Sequence, residues 1–173
     1  MFAKTHEEFG RLDVLVNNAG VVQASSLESL SEEVFDKIFA TNVRGPSFGA
    51  KEAAKRMAAG GHVVDITSRR VHFPASGTTA YAGSKAALEL LASVWAQELG
   101  AKGITVNAVA PAPASPGMFD RAPEFMKTTA QQSSPFLRVG TADEIAGVVA
   151  FLCSDEARWI TGQVILANGG GKI

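Results

Sequence analysis

Four short apolar runs punctuate the chain: Asp13 to Val16 ("DVLV"), His62 to Ile66 ("HVVDI"), Ile104 to Ala110 ("ITVNAVA") and Gln163 to Leu166 ("QVIL"). They are continuous rather than alternating, and rich in valine and isoleucine. That pattern suits strands covered on both faces, as in a parallel sheet. Longer helical stretches lie between them. Ser31 is placed to cap one, with Glu32 and Glu33 in the first turn, where the helix dipole favours negative charge. The pattern predicts that this helix continues to about Ala59 and stops at Gly60-Gly61. A second helix is predicted from about Thr79 to Leu99, stopping at Gly100 or Gly103, and a third from Thr141 to about Cys153. Strands alternating with helices define the α/β class. The stretch from Ala110 to Phe136 carries five of the seven prolines and reads as a long irregular segment, of the kind that forms a functional loop or lid.

Composition narrows the picture. The chain has 173 residues, enough for one domain with a sizeable core, and a formal net charge of −1 from 16 basic and 17 acidic residues. That balance argues against a nucleic-acid or membrane partner. Cys153 is the single cysteine, and His6, His62 and His72 lack metal-ligand spacing, so no metal site is expected. No apolar run reaches membrane-spanning length, and "MFAKTHEEFG" is no secretory signal. A soluble cytoplasmic protein is the expectation.

The candidate chemistry centres on "YAGSK". Tyr81, the one tyrosine, and Lys85 stand four residues apart, so a helix places them on one face. A free phenol has a pKa of about 10, and an adjacent ammonium lowers it. Such a tyrosine becomes usable as a general acid or base; the bland reading is an amphipathic helix with an exposed lysine. Ser68 lies just past the strand ending at Ile66, and "NNAG" (Asn17 to Gly20) just past "DVLV". Ligands of open α/β sheets bind beyond those carboxyl ends. Pro46 falls inside a predicted helix and has no N–H to offer the carbonyl of Asn42. A bend is expected there, with that carbonyl free to hold a water.

These segments together resemble the short-chain dehydrogenases/reductases. "LDVLVNNAG", "TNVRGP", "ITS" ending at Ser68, "YAGSK" and "ITVNAVAP" match the family's motifs in order and spacing, and the segment from Phe136 to Gly170 resembles its closing part. The sequence is most similar to the 3-oxoacyl-carrier-protein reductase-like and glucose-dehydrogenase-like members. The resemblance implies a Rossmann-like doubly wound parallel sheet and hydride transfer between NAD or NADP and a carbonyl or secondary alcohol. It implies Tyr81 as general acid/base, Lys85 lowering the tyrosine pKa and bonding the nicotinamide ribose, and Ser68 orienting the substrate oxygen. Asn42 would hold a relay water through its main-chain carbonyl. Asn17, Ala19, Gly20 and Pro111 would lie along the cofactor, with Val109 a lesser candidate. A homo-oligomer, dimer or tetramer, is implied as well.

The sequence also departs from that pattern. No Gly-x-x-x-Gly-x-Gly segment precedes Asn17, so the expectation is an N-terminally truncated fold retaining about strands 4–7, with residues 1–173 as one partial domain and 110–136 as its lid. "NGGGK" (Asn168 to Lys172) is no P-loop. The first strand is expected to carry an unpaired apolar edge, and the isolated chain to bind nucleotide poorly. Ala112 replaces a glycine, Pro116 takes the place of a threonine with Ser115 the nearest hydroxyl, Asp65 replaces an asparagine and Asn168 an aspartate. Arg69, Arg70 and His72 follow Ser68 and read as an exposed polar turn more readily than as contacts to an anionic substrate. Met118, Phe119, Phe125, Met126 and Phe136 suit either an apolar pocket or packing. Two other readings follow from the sequence. One is a non-catalytic oligomerisation or regulatory fragment. The other is a serine hydrolase using Ser68 and His72, which lacks a Gly-x-Ser-x-Gly elbow and an evident acid.

Overall fold

The computed structural model describes residues 1–171. Helix α1 (Phe2–Phe9) ends at Gly10, whose left-handed backbone (φ 74°) turns the chain into strand β1 (Leu12–Asn17). Ser31 caps helix α2 (Glu32–Phe39) as the sequence predicts, its hydroxyl accepting from the Val34 N–H at 3.3 Å. Pro46 does not break the helix that follows. The turn before it widens into a π-helical segment, Ala40–Arg44, and helix α3 (Gly45–Arg56) then starts with the proline in its first turn, where the missing N–H costs little.

Helix α3 stops at Arg56, three residues before the predicted end. Met57 turns extended and buries its side chain in the core, which opens strand β2 (Met57–Ile66) earlier than the predicted His62. Gly60 and Gly61 therefore sit in a bulge of β2 rather than at a helix end. Gly60 has φ 79°, and a Cβ on Gly61 would lie 2.7 Å from the Asp13 carbonyl.

Helix α4 (Thr79–Leu99) and strand β3 (Thr105–Pro111) follow, joined through Gly103 at φ 68°. The Pro-rich segment is not irregular throughout. It holds a two-residue strand, β4 (Ala114–Ser115), a 3₁₀ turn at Met118–Arg121, and helix α5 (Glu124–Ser133), which begins directly after Pro123. β4 pairs in parallel with β5 (Gly140–Thr141). Helix α6 (Ala142–Leu152) and strand β6 (Val164–Ala167) complete the fold.

The main sheet has the order β1-β2-β3-β6, all parallel, as the continuous apolar runs predict. On one face α3 and α4 bury Leu15, Val63, Val106 and Ala108 against Ala53, Ala92, Ala96 and Leu99. On the other, Leu152 of α6 packs on Val64 and Val109. The register sets Asn17 beside Asp65, so the carboxyl ends of β1 and β2 finish level. α4 lies across that end, on the same face as α3.

Candidate active site

Helix α4 brings its reactive side chains to this edge. Tyr81 is half-buried, while Ser84, Lys85 and Glu89 are buried, because i, i+4 and i+8 share the face turned to the sheet. Lys85 is 3% exposed, which excludes the bland reading of a solvated surface lysine. Its ammonium donates to the Ile66 carbonyl at 2.7 Å, at the end of β2. Burial pulls its pKa down to about 8, and the nearby charge of Asp65 opposes that. Asp65 itself is fully buried. Burial pushes its carboxyl up to about 7, against the Asn17 hydrogen bond (2.7 Å) and the charge of Lys85.

The sequence expectation that Lys85 lowers the Tyr81 pKa differs from what the structure shows. Burial pushes the Tyr81 phenol up; a hydrogen bond with Ser68 and the charge of Arg70 oppose that. The cation acting on the hydroxyl is thus Arg70, while Lys85 is engaged with Ile66 and Asp65. Ser68 ends the extended run after β2 and caps the 3₁₀ turn Arg69–Val71, its Oγ accepting the Arg70 N–H at 3.1 Å.

Asn42 is fully buried in the π-helical segment, and its side chain does work that sequence reasoning missed. Oδ1 accepts from the Val21 N–H at 2.9 Å, and Nδ2 donates to the Val21 carbonyl and to Ser84 Oγ, both at 3.0 Å. Ser84 in turn donates to the Tyr81 carbonyl at 2.7 Å. One asparagine thereby ties the loop after β1 to the helix that bears Tyr81. Gly20 lies in that loop, and a Cβ there would stand 3.2 Å from Lys85 Nζ. Asn17 steadies the β1–β2 pair, and Gly49 of α3 passes so close that a Cβ would meet Asn17 Oδ1 at 2.9 Å. The spacing of Ser84 and Glu89 from Tyr81 on one helix was the available signal for both.

Other candidates fall differently. Ala19 is exposed beside Gly20, and Pro111 is half-buried at the end of β3, beside Ala167 of β6. Val109 is a core residue with no exposure, and its carbonyl accepts from Thr67. Ser115 serves Asp120, holding that carboxyl below its ordinary range together with the Gly117 N–H. Met118, Phe125, Met126 and Phe136 are exposed and Phe119 is half-buried, so none of the five belongs to the buried core. Phe136 lines a cavity of about 260 Å³ between α5 and β6 that includes none of Ser68, Tyr81 or Lys85. Lys172 of the "NGGGK" run lies outside the described residues.

The exposed-turn expectation for "RRVH" is overturned at its first residue. Arg69 is 4% exposed, and its Nε and Nη1 have no partner among the described residues. His72 sits 3.1 Å from Glu89, so the structure supplies the acid that the hydrolase reading lacked. Ser68 Oγ, however, is engaged by Arg70 and Tyr81, and no hydrogen bond joins it to His72 among the described residues.

A parallel sheet of this order, with helices on both faces, defines a Rossmann-type α/β protein, and a tyrosine, a serine and a buried lysine gather at its carboxyl edge. Comparison with known proteins sharpens that class. Residues 1–172 match the family described as Enoyl-(Acyl carrier protein) reductase. The chain is 39% identical over 175 residues to a short-chain type dehydrogenase/reductase of Picea abies, covering 98% of this chain and 65% of that protein. A short-chain dehydrogenase/reductase from Serratia marcescens superposes with a TM-score of 0.91 at 36% identity, over 98% of this chain and 70% of that one. The angucycline C-6 ketoreductase LanV with bound NADP gives 0.90 at 38%, over 97% and 66%. The chain belongs to the short-chain dehydrogenase/reductase family. It spans about two thirds of the length of the curated relatives it matches.

Proposed function

We propose that this chain carries the proton-transfer half of an NAD(P)-dependent oxidoreductase acting on a carbonyl or secondary alcohol. The observation that carries the reading is the convergence of Ser68, Tyr81 and Lys85 at the sheet edge, with Asn42 buried behind them and holding loop and helix together. The residues fit a nicotinamide cofactor at one end. Lys85 uses one of its three N–H donors on Ile66, and Gly20 leaves open the space beside it that a Cβ would fill. Lys85, Tyr81, Asn17, Ala19, Gly20 and Pro111 would hold the nicotinamide and its ribose. Bound there, the cofactor supplies or accepts the hydride.

The protein's part is the proton. Tyr81 carries its proton at neutral pH, as a phenol ordinarily does, and can donate it to a substrate oxygen in reduction; burial raises its pKa, and Ser68 and the Arg70 charge oppose that rise. Ser68 stands beside that hydroxyl to orient the oxygen and stabilise its developing charge. Asn42 steadies the helix through Ser84; its main-chain carbonyl, denied an N–H by Pro46, is the relay-water position. Lys85 holds the ribose and maintains the positive field of the site.

The reading carries a small carbonyl or alcohol as substrate. It also carries a homo-oligomeric state, supported by Phe48, Leu90 and Val94, which α3 and α4 expose at 53%, 69% and 43%. A cytoplasmic setting accords with the lone Cys153. No helix among the described residues is long and apolar enough to cross a membrane. The non-catalytic alternative rests on one observation: among the described residues no glycine-rich strand-to-helix turn stands ready for a pyrophosphate. A reduction assay on activated ketones with NADH and NADPH separates the two. The oxidoreductase reading expects turnover that Tyr81→Phe lowers about 100-fold or more. Equal turnover by both proteins would defeat it.

A further inference from the structure

Arg69 and Arg70 place two guanidinium groups directly after Ser68, and neither forms an ion pair among the described residues. The acids nearby are already engaged. Glu89 binds Thr67 and His72, and Asp65 binds Asn17 beside Lys85. The main-chain N–H of Arg70 bonds Ser68 Oγ at 3.1 Å, which fixes the residue beside the serine, and its guanidinium charge opposes the rise in the Tyr81 pKa. Among the described residues its own side chain is held only by a long contact to the Phe73 carbonyl, at 3.4 Å. Arg69 is 4% exposed, with Nε and Nη1 buried and without an acceptor. A buried guanidinium without a counter-charge is costly, and orphaned donors of this kind are rare in folded proteins. The planar fork of a guanidinium matches a carboxylate in two parallel hydrogen bonds.

We infer that this site selects substrates whose reacting carbonyl is joined to a carboxylate, with the Arg70 guanidinium receiving the anion and the unpartnered donors of Arg69 supporting it. This rests on the oxidoreductase reading and gives it a substrate class, the small oxo acids. Ser68 and Tyr81 take the carbonyl oxygen, and the arginines take the acid group a few atoms away. Reduction then turns an oxo acid into a hydroxy acid. The electron pair arrives as hydride on the carbonyl carbon and the proton on its oxygen.

The test compares kcat/KM for 2-oxobutyrate and acetoacetate with that for their methyl esters, using the full chain and the variants Arg70→Gln, Arg70→Lys and Arg69→Gln. The acid is expected to be favoured over its ester by about tenfold or more in the unmodified protein. That ratio should fall toward one in Arg70→Gln, mainly through KM, and be partly retained in Arg70→Lys. Circular dichroism checks that Arg69→Gln folds; if it does not, the two Arg70 variants carry the decision. Equal values for acid and ester, or a ratio that Arg70→Gln leaves unmoved, would overturn the inference. If no carbonyl compound is turned over at all, the oxidoreductase reading fails on its own. The anion site is then judged by saturation-transfer NMR with acetoacetate, where binding abolished by Arg70→Gln supports it and absence of binding refutes it.

Discussion

A buried ionisable group is tolerated only where partners offset its lost hydration, and at residue scale Asp65 and Lys85 illustrate how narrow that balance is. Asp65 Oδ2 has no hydrogen-bond partner among the described residues, and the groups facing the carboxyl are Asn17 and Lys85. Its folded pKa, about 7, lies above its ordinary 3.8, so the folded state holds the proton more tightly. The resulting stability is fully present below pH 3.8 and is lost as pH rises through 7. Lys85 runs the other way: its folded pKa, about 8, lies below its ordinary 10.5, so its cost is relieved only above pH 8. Stability from this pair is therefore lowest between the two folded values. Urea unfolding should show the wild type losing roughly 2–3 kcal/mol more than Asp65→Asn between about pH 4.5 and pH 7. Parallel pH profiles for the two proteins would contradict this. Spacing and a strand end single out Ser68, Tyr81 and Lys85 in the sequence, and Pro46 singles out Asn42, though for its carbonyl rather than for the side chain that binds Val21 and Ser84. Ser84, the Arg70 charge on Tyr81 and the burial of Arg69 were not legible there, because each depends on how α4 rotates against the turn after β2.

Element boundaries show which local signals dominate. Thr141 was read as a helix start, and the structure closes a full capping box there. Its hydroxyl accepts the Glu144 N–H at 3.1 Å, Glu144 returns to the Thr141 N–H at 2.8 Å, and Arg138 holds the same carboxylate, whose pKa falls to about 2. Thr141→Ala is expected to destabilise the protein by about 1 kcal/mol in thermal or urea unfolding, with a change under about 0.3 kcal/mol as the contrary result. The end of α3 was misplaced for an understandable reason. "KRMAAGG" continues with good helix formers to the glycines, and only the burial of Met57 in the core ends the helix sooner. Helix α5 was hidden by the prolines that flank it, Pro123 and Pro135, and by a weak apolar stripe, since Ala130 is its one buried residue. Three strands of the main sheet were read to within a residue at each end, because a continuous β-branched run leaves few alternatives, whereas β2 begins five residues before the predicted His62.

Over the whole molecule, the sheet is covered unevenly. β3 has no exposed position before Pro111, but β1 exposes Val14 and Val16 on the face opposite α3, each at 39%. Its other edge pairs with no strand among the described residues. An apolar strand with a free edge is a template for association, so the 173-residue chain should self-associate in light scattering, and Val14→Lys should reduce that association. A monodisperse monomer would contradict the expectation. The same architecture bears on the proposed chemistry, since the residues proposed to hold the nicotinamide come from β1, the loop after it, β3 and α4. Titration of the full chain with NADPH, followed by nicotinamide fluorescence, tests this claim most directly. The account predicts weak saturable binding, with Kd on the order of 0.1–1 mM, because the described residues offer no helix N-terminus for the pyrophosphate. Lys85→Met should weaken that binding further. No fluorescence change at several times that concentration, or binding indifferent to Lys85, would contradict the assignment of this edge as a cofactor site.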